Sequence, residues 1–412
     1  MEATRIQLAQ GVHLTYLPAR KFKTSLLSAQ FVTPLRRETA GANALLAAVL
    51  RRGTVSCPDM GALSAKMDNL YDASIDYTVR KKGENQCVGF VASFIDDRYA
   101  PGGERLLEPA AALLGELICD PVTYHGRFVP EYFESEKTNL LEAIRSLIND
   151  KRDWADSRLL RALCDGEAYA VPRLGDEETV DKLQALKVYT QYRDLISTAP
   201  LEIIYSGSAD LERVKQALAA AFATLPREEV RVISTAAPHV CRESVQHVED
   251  VLDVTQGKLG MGFSCGSDDM PALLMGNTLF GGSSNSKLFL NVREKLSLCY
   301  YASSLYHRQK GLITVSSGIE FQNYQRAYDE IMAQLEAVQK GELEDWELEG
   351  ARSTLLNSYA TVGDSQGKLE NFYLGQAATG QHETPADLAR AIQDMTAERI
   401  CRAMSTMKLD TV

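Results

Sequence analysis

Eight cysteines and six histidines are the side chains of this 412-residue chain best suited to metal or nucleophilic chemistry, and their spacing argues against both. Cys57, Cys87, Cys119, Cys164, Cys241, Cys265, Cys299 and Cys401 are dispersed, with no C-x-x-C and no nearby Cys/His pair at zinc spacing. They read as reduced structural thiols, because a free cysteine packs as a small buried hydrophobe. Among His13, His125, His239, His247, His307 and His382 no two stand four residues apart, so no helix can offer two imidazoles to one ion. His239 and His247 fall in a polar stretch and read as solvated. Cys299 and His307 make a poor nucleophile and base: a strand separates them, and neither has an obvious orienting carboxylate.

The loop "FGGSSNS" has neither G-x-x-x-x-G-K-[ST] nor G-x-G-x-x-G, so it is no phosphate cradle. Gly281 and Gly282, followed by Ser283, instead permit close backbone approach by a peptide or a partner subunit. The acidic stretch "GELEDWELEG" opens a helix, where carboxylates suit the N-terminal dipole, and reads as a solvated face. In "NALLAAVLRRGT" Ala44, Ala47 and Ala48 lie close together on a strong helix former; taken alone the segment is an ordinary amphipathic helix.

The elements that carry these residues belong to more than one core, since the chain exceeds what a single hydrophobic core fills. Hydrophobic residues make up 45% and charged residues 24%, as in ordinary globular proteins. A net charge of −11, with basic residues scattered, speaks against nucleic acid as a partner. No long apolar run or signal-like N-terminus is found, so the chain is expected to be soluble and cytoplasmic, without a membrane partner.

Alternating patterns predict strands at "VHLTYLP" and "TSLLSAQFVT", then helices over 42 to 52 and from Asp59 to about Tyr71. Paired strands "ASIDYTVRK" and "QCVGFVASFI" follow, with helices over 103 to 197, a strand "LEIIYSGS" and a helix "ADLERVKQALAAAFATLP". Residues 227 to 244 read as a linker. Beyond it the order repeats: strand "KLGMGFSC", helices "DMPALLMGNTLFGG" and "SKLFLNVREKL", strands "CYYASSLYHR" and "GLITVSSGIE", then long helices. "EYFESEKTNLLEAI" has its partner in "EDWELEGARSTLLNSY". The prediction is an α+β chain of two homologous domains, 1 to 226 and 245 to 412, each a mainly antiparallel sheet with helices on one face.

This layout, with a first helix ending in Gly53-Thr54, resembles the M16 (pitrilysin-like) zinc peptidases. Active members carry H-x-x-E-H in that helix, two imidazoles binding Zn²⁺ and a carboxylate serving as base. Counting back from Gly53-Thr54 puts Ala44 and Ala48 at the histidines and Ala47 at the glutamate. The third ligand falls seven residues after Glu136, on Ala143. Methyl groups hold no metal, so the resemblance implies a degenerate first domain, no cofactor in this chain, and no catalysis by it alone.

The second half keeps another part of the pattern: "LFGGSSNSKLFLNVREKLSLCYYASS" resembles the family's glycine-rich loop, helix, and Arg and Tyr seven residues apart. Here they are Arg293 and Tyr300, with Tyr301 a competitor. In active relatives the pair binds a substrate carbonyl and the developing oxyanion, which suits a guanidinium and a phenol. The resemblance is to short two-repeat bacterial members that form heterodimers. It implies a non-catalytic subunit that positions a peptide through Arg293, Tyr300, Gly281, Gly282 and Ser283, beside a homologous H-x-x-E-H partner carrying the zinc; a homodimer is left open where that partner is absent. Zinc-lacking members are associated with aminopentanol modification of elongation factor P or with maturation of ribosomal peptides. The alternatives are a structural scaffold with no part in cleavage, and a hydrolase using Cys299 and His307.

Overall fold

A computed structural model describes residues 3–233 and 239–412. The chain opens with strands β1 (Thr4–Ala9), β2 (Val12–Pro18) and β3 (Thr24–Pro34), helices α1 (Arg37–Leu50) and α2 (Met60–Asp68), and strands β4 (Ser74–Lys82) and β5 (Asn85–Ile95). Helix α3 (Leu107–Cys119), the short strands β6 (Thr123–Tyr124) and β7 (Arg127–Phe128), and helices α4 (Pro130–Ser146), α5 (Lys151–Leu163), α6 (Glu177–Asp181) and α7 (Ala185–Thr198) lead to β8 (Leu201–Gly207) and α8 (Leu211–Ala221). The second half runs β9 (Gly257–Ser264), α9 (Met270–Phe280), a π-type helix Leu288–Lys295, β10 (Cys299–His307) and β11 (Leu312–Ile319). It closes with α10 (Tyr324–Lys340), α11 (Asp345–Val362), α12 (Gln366–Thr379), α13 (Pro385–Gln393), α14 (Ala397–Met404) and β12 (Lys408–Thr411).

Three local departures from the sequence reading have simple causes. Helix α1 starts at Arg37, a turn earlier than predicted, with Glu38 at its positive end. The helical stretch after residue 103 is interrupted by the β6–β7 hairpin, turned by His125 and Gly126 at φ 49° and 74°. A Tyr-His-Gly-Arg turn this short leaves little alternation to read. The same holds for β12, a four-residue strand the sequence did not disclose.

The described chain forms two compact units that are not collinear with the sequence. One comprises the described residues of Met1–Arg145, Val171–Thr235 and Gly363–His382; the other those of Ser146–Ala170, Ala236–Val362 and Glu383–Val412. Helix α5 therefore belongs to the second unit, and α12 to the first.

The first unit is built on a six-stranded sheet in the order β1-β2-β8-β3-β5-β4, antiparallel except for the β2–β8 pair. Strand β3 is buried along almost its whole length, yet its residues alternate in kind. Leu27, Ala29 and Phe31 point into the apolar core with α1, α3, α7 and α8, as period-two geometry requires. Ser28 and Gln30 point to the other face, which α12 covers with polar groups: Ser28 donates to Glu370 at 2.7 Å, and Gln366 donates to the Ser206 carbonyl at 2.7 Å. On the same face Arg80 of β4 forks onto both Glu370 oxygens at 2.6 and 2.8 Å. Strand β4 ends the sheet, with its outer edge unpaired by any strand among the described residues.

Helices α3 and α8 are joined by Arg213, which donates to both Glu108 oxygens at 2.8 and 2.7 Å. These bonds hold the Glu108 carboxyl down at about 2. A depressed carboxyl stabilises the fold above its ordinary value near 4.5, and that contribution is lost as pH falls toward about 2. Urea midpoints should therefore fall between pH 4.5 and 2, and Glu108→Gln should flatten that part of the profile. An unchanged slope in the variant would remove Glu108 from the account.

The second unit has a four-stranded antiparallel sheet, β10-β11-β9-β12, with a core that includes Met261, Phe263, Phe280, Leu288, Val292 and Ile331. The repeat is thus one of order, with unequal sheets. No helix among the described residues is long and apolar enough to cross a membrane.

Candidate functional site

Helix α1 carries no charge after Glu38, so from Ala40 to Leu50 every residue can be and is buried. Helix α4 is amphipathic: Phe133, Leu140 and Leu141 go inward, and Ala143 stays exposed. The two helices and the β4 edge enclose an open pocket of about 730 Å³ whose lining includes Ala44, Ala48, Ala143, Glu136 and Asn139. Ala44 and Ala48 are so brought beside Ala143, 95 or more positions on in sequence, where the resemblance placed the metal. Ala47 is not in the lining; it is fully buried in the apolar core.

The donor set here does not fit zinc. Three methyl groups face the pocket, and the nearby carboxylate, Glu136, accepts from Arg52 at 2.9 Å and from Asn139 at 3.2 Å. The Arg52 guanidinium also lies 5.1 Å from the Tyr132 ring centroid. An arginine is thus the counter-ion of Glu136, the carboxylate in the described lining.

Potential ligand types cluster elsewhere, in the second unit, where Cys164, Glu167 and His239 bring ligand atoms within 4.8 Å of one another. His239 is not a solvated residue as the sequence suggested: its side chain is 3% exposed, with Nδ1 2.6 Å from Glu167 and Nε2 3.2 Å from Asp410. Lys310 pairs with the other Glu167 oxygen and Arg242 with Asp410, so two carboxylates already face two fixed cations. Partners 72 and 171 positions away explain why a polar stretch gave no sign of this. His247 is exposed, as read.

In the second unit the glycine loop is shaped by its own chain. A Cβ on Gly281 would meet Leu288 Cδ1, Ser304 N and Ser304 Oγ, each at 2.7 Å; one on Gly282 would meet Asn277 Nδ2 at 2.8 Å. The close approach these glycines permit is made by β10, whose Ser304 N–H donates to the Gly281 carbonyl at 2.9 Å, and by the end of α9. Ser283 donates to the Thr278 carbonyl at 3.2 Å. Lys287 is buried and pairs with both Glu347 oxygens at 2.9 and 3.0 Å, tying the loop to α11. Glu347 is therefore no part of a solvated face. The sequence signal was a lone lysine inside "SNSKLF", unreadable without its partner 60 positions on.

The helix that follows is π-type, with Leu296 N–H reaching back to Asn291. It ends at Lys295, Ser297 follows at φ 49°, and β10 then opens with a bulge: Cys299 pairs with Ile319 and Tyr301 with Gly318, leaving Tyr300 without an opposite number. The extra residue turns Tyr300 outward. It is 58% exposed and lines an open concavity of about 550 Å³ with Thr255, Gln256, Glu320 and Phe321. Tyr301 lies against Gly318 and under the Arg152 guanidinium, 4.4 Å from its ring centroid; burial raises its pKa. Arg293 is 40% exposed, 4.7 Å over the Phe289 ring and 3.4 Å from Glu294. No hydrogen bond joins Arg293 to Tyr300 among the described residues.

Cys299 and His307 sit at opposite ends of β10. Burial raises the Cys299 pKa, and His307 is bound at both nitrogens, 3.0 Å from Tyr169 and 2.9 Å from Thr314. They cannot act together.

Residues 182–355 match the family model described as the Peptidase M16 inactive domain. With the two-unit fold and the four alanines, the chain belongs to the M16 peptidase family as an inactive metallopeptidase homologue. It is 33% identical over 408 residues to the "Probable inactive metalloprotease YmfF" of Bacillus subtilis (strain 168), covering 97% of this chain and 95% of that one. The crystal structure of a conserved protein from Enterococcus faecalis V583 matches at TM-score 0.89 and 27% identity, covering 100% of this chain and 97% of the other. A peptidase M16 inactive domain from Pseudomonas fluorescens shares the fold at TM-score 0.80 and 18% identity, over 99% and 97% of the two chains.

Proposed function

We propose that this chain is the non-catalytic, substrate-positioning subunit of a cytoplasmic heterodimeric M16-type peptidase, supplying Arg293 and Tyr300 to a homologous subunit that carries H-x-x-E-H and zinc. The observation that carries the reading is a contrast in one molecule. Metal-binding types are replaced by methyl groups at Ala44, Ala48 and Ala143, while Tyr300 is held outward by a bulge and Arg293 is half-exposed on the helix before it. Tyr300 is 58% exposed, and a strong, directional donor of this kind suits a carbonyl that gathers charge. The peptide would be held by main-chain bonds as an added strand, which tolerates varied sequences.

Expression of this chain with an H-x-x-E-H homologue from the same source tests the reading. The two should copurify, zinc should follow the partner when the chains are separated, and peptide cleavage should require both. Cleavage at full rate by the partner alone would overturn the proposal.

A further inference from the structure

The pocket beside β4 has a charge that its role as a former metal site does not explain. Its described lining includes Arg80, Lys81, Lys82 and Arg173 against one carboxylate, Glu136. That carboxylate is matched by Arg52, and Arg80 is matched by the Glu370 fork. Lys82 and Arg173 differ. Lys82 Nζ reaches Asn371, at 2.7 Å to Oδ1 and 3.3 Å to the carbonyl, and Arg173 donates to the Val79 carbonyl at 3.0 Å. Neither has a carboxylate within ion-pair distance among the described residues. Burial is the largest influence on Lys82 and lowers its pKa, with the neighbouring Arg80 acting in the same direction and Glu370 against it. All this stands in a protein of net charge −11.

We propose that this pocket is a carboxylate-binding subsite, in which Lys82 and Arg173 hold an anionic group of a peptide lying along the β4 edge. Arg173 rests on a main-chain oxygen of that edge, as does Arg51 on the Ile75 carbonyl at 2.5 Å. An arriving peptide that pairs with β4 takes over main-chain positions, and its carboxylate offers the Arg173 guanidinium a stronger, bidentate acceptor than the amide oxygen it leaves. Lys82 supplies a second charge-assisted bond at the end of the same strand. The inference rests on the peptide-binding reading and adds the class of peptide: one with an acidic side chain or a free C-terminus at this position.

The test uses the full chain and a fluorescein-labelled, unstructured decapeptide in four forms: free or amidated C-terminus, each with an internal Glu or Gln. Fluorescence anisotropy should show affinity falling on the order of tenfold when the anion that occupies the subsite is removed. The pair of forms that differ tells a C-terminal carboxylate from a side-chain one. Lys82→Met and Arg173→Gln should each erase that difference, and Lys82→Arg should keep it, with circular dichroism confirming the fold. Equal binding of all four forms overturns the subsite alone. Binding of none overturns the peptide reading and the subsite together.

Discussion

Replacing Arg293 by Ala, or Tyr300 by Phe, is expected to lower peptide cleavage by the mixed pair about a hundredfold or more while assembly is kept. Loss of one preformed donor to a developing oxyanion costs on the order of 10²–10³ in rate. Neither side chain supports the fold strongly: Tyr300 is 58% exposed, and among the described residues Arg293 has a 3.4 Å contact with the adjacent Glu294 beside its stacking on Phe289. Tyr300→Phe removes one oxygen and should act on kcat more than on KM, since the bond strengthens as charge develops. Tyr301→Phe is the control. Its ring packs on Gly318 under Arg152, so the loss of its hydroxyl should change cleavage little. Full activity of both the Arg293 and Tyr300 variants would favour a scaffold role.

The second large effect concerns stability. Glu370→Ala should lower the stability of the first unit by about 3–5 kcal/mol, the cost of leaving a buried charge without its partner. Glu370 is 3% exposed and receives two bonds from Arg80 and one from Ser28, so its removal strands a guanidinium and a hydroxyl on the polar face of the sheet. Arg80→Met together with Glu370→Met should recover part of the loss, because an apolar pair leaves no unpaired charge. Urea-induced unfolding monitored by circular dichroism reads both, and a shift below about 1 kcal/mol for Glu370→Ala would show that water replaces the pair.

The sequence discloses the features whose signal is local. Two-residue alternation marks β2 and β3, strand-like runs mark β4 and β5, and Asp59, which caps α2 through the Ala62 N–H, fixes that helix start. The alanine positions are legible because they stand at a fixed spacing from Gly53-Thr54, and Ala44 and Ala48 do line one pocket with Ala143. Long-range partners are not legible. Nothing in "PHVCRE" tells that His239 lies between Glu167 and Asp410, or in "SKLF" that Lys287 is buried against Glu347. The choice between Tyr300 and Tyr301 also needs the bulge, since one inserted residue decides which ring turns outward.

The order of synthesis adds a constraint. The first unit's polar sheet face is closed by α12, whose residues leave the ribosome after nearly nine-tenths of the chain has been made. Until then Ser28 and Arg80 lack Glu370, the partner that this helix brings. A nascent chain can collapse its apolar face early, but maturation of this unit waits for translation to approach its end. A gene cut between residues 227 and 244 would yield a first fragment without its closing helix and a second bearing a stray one.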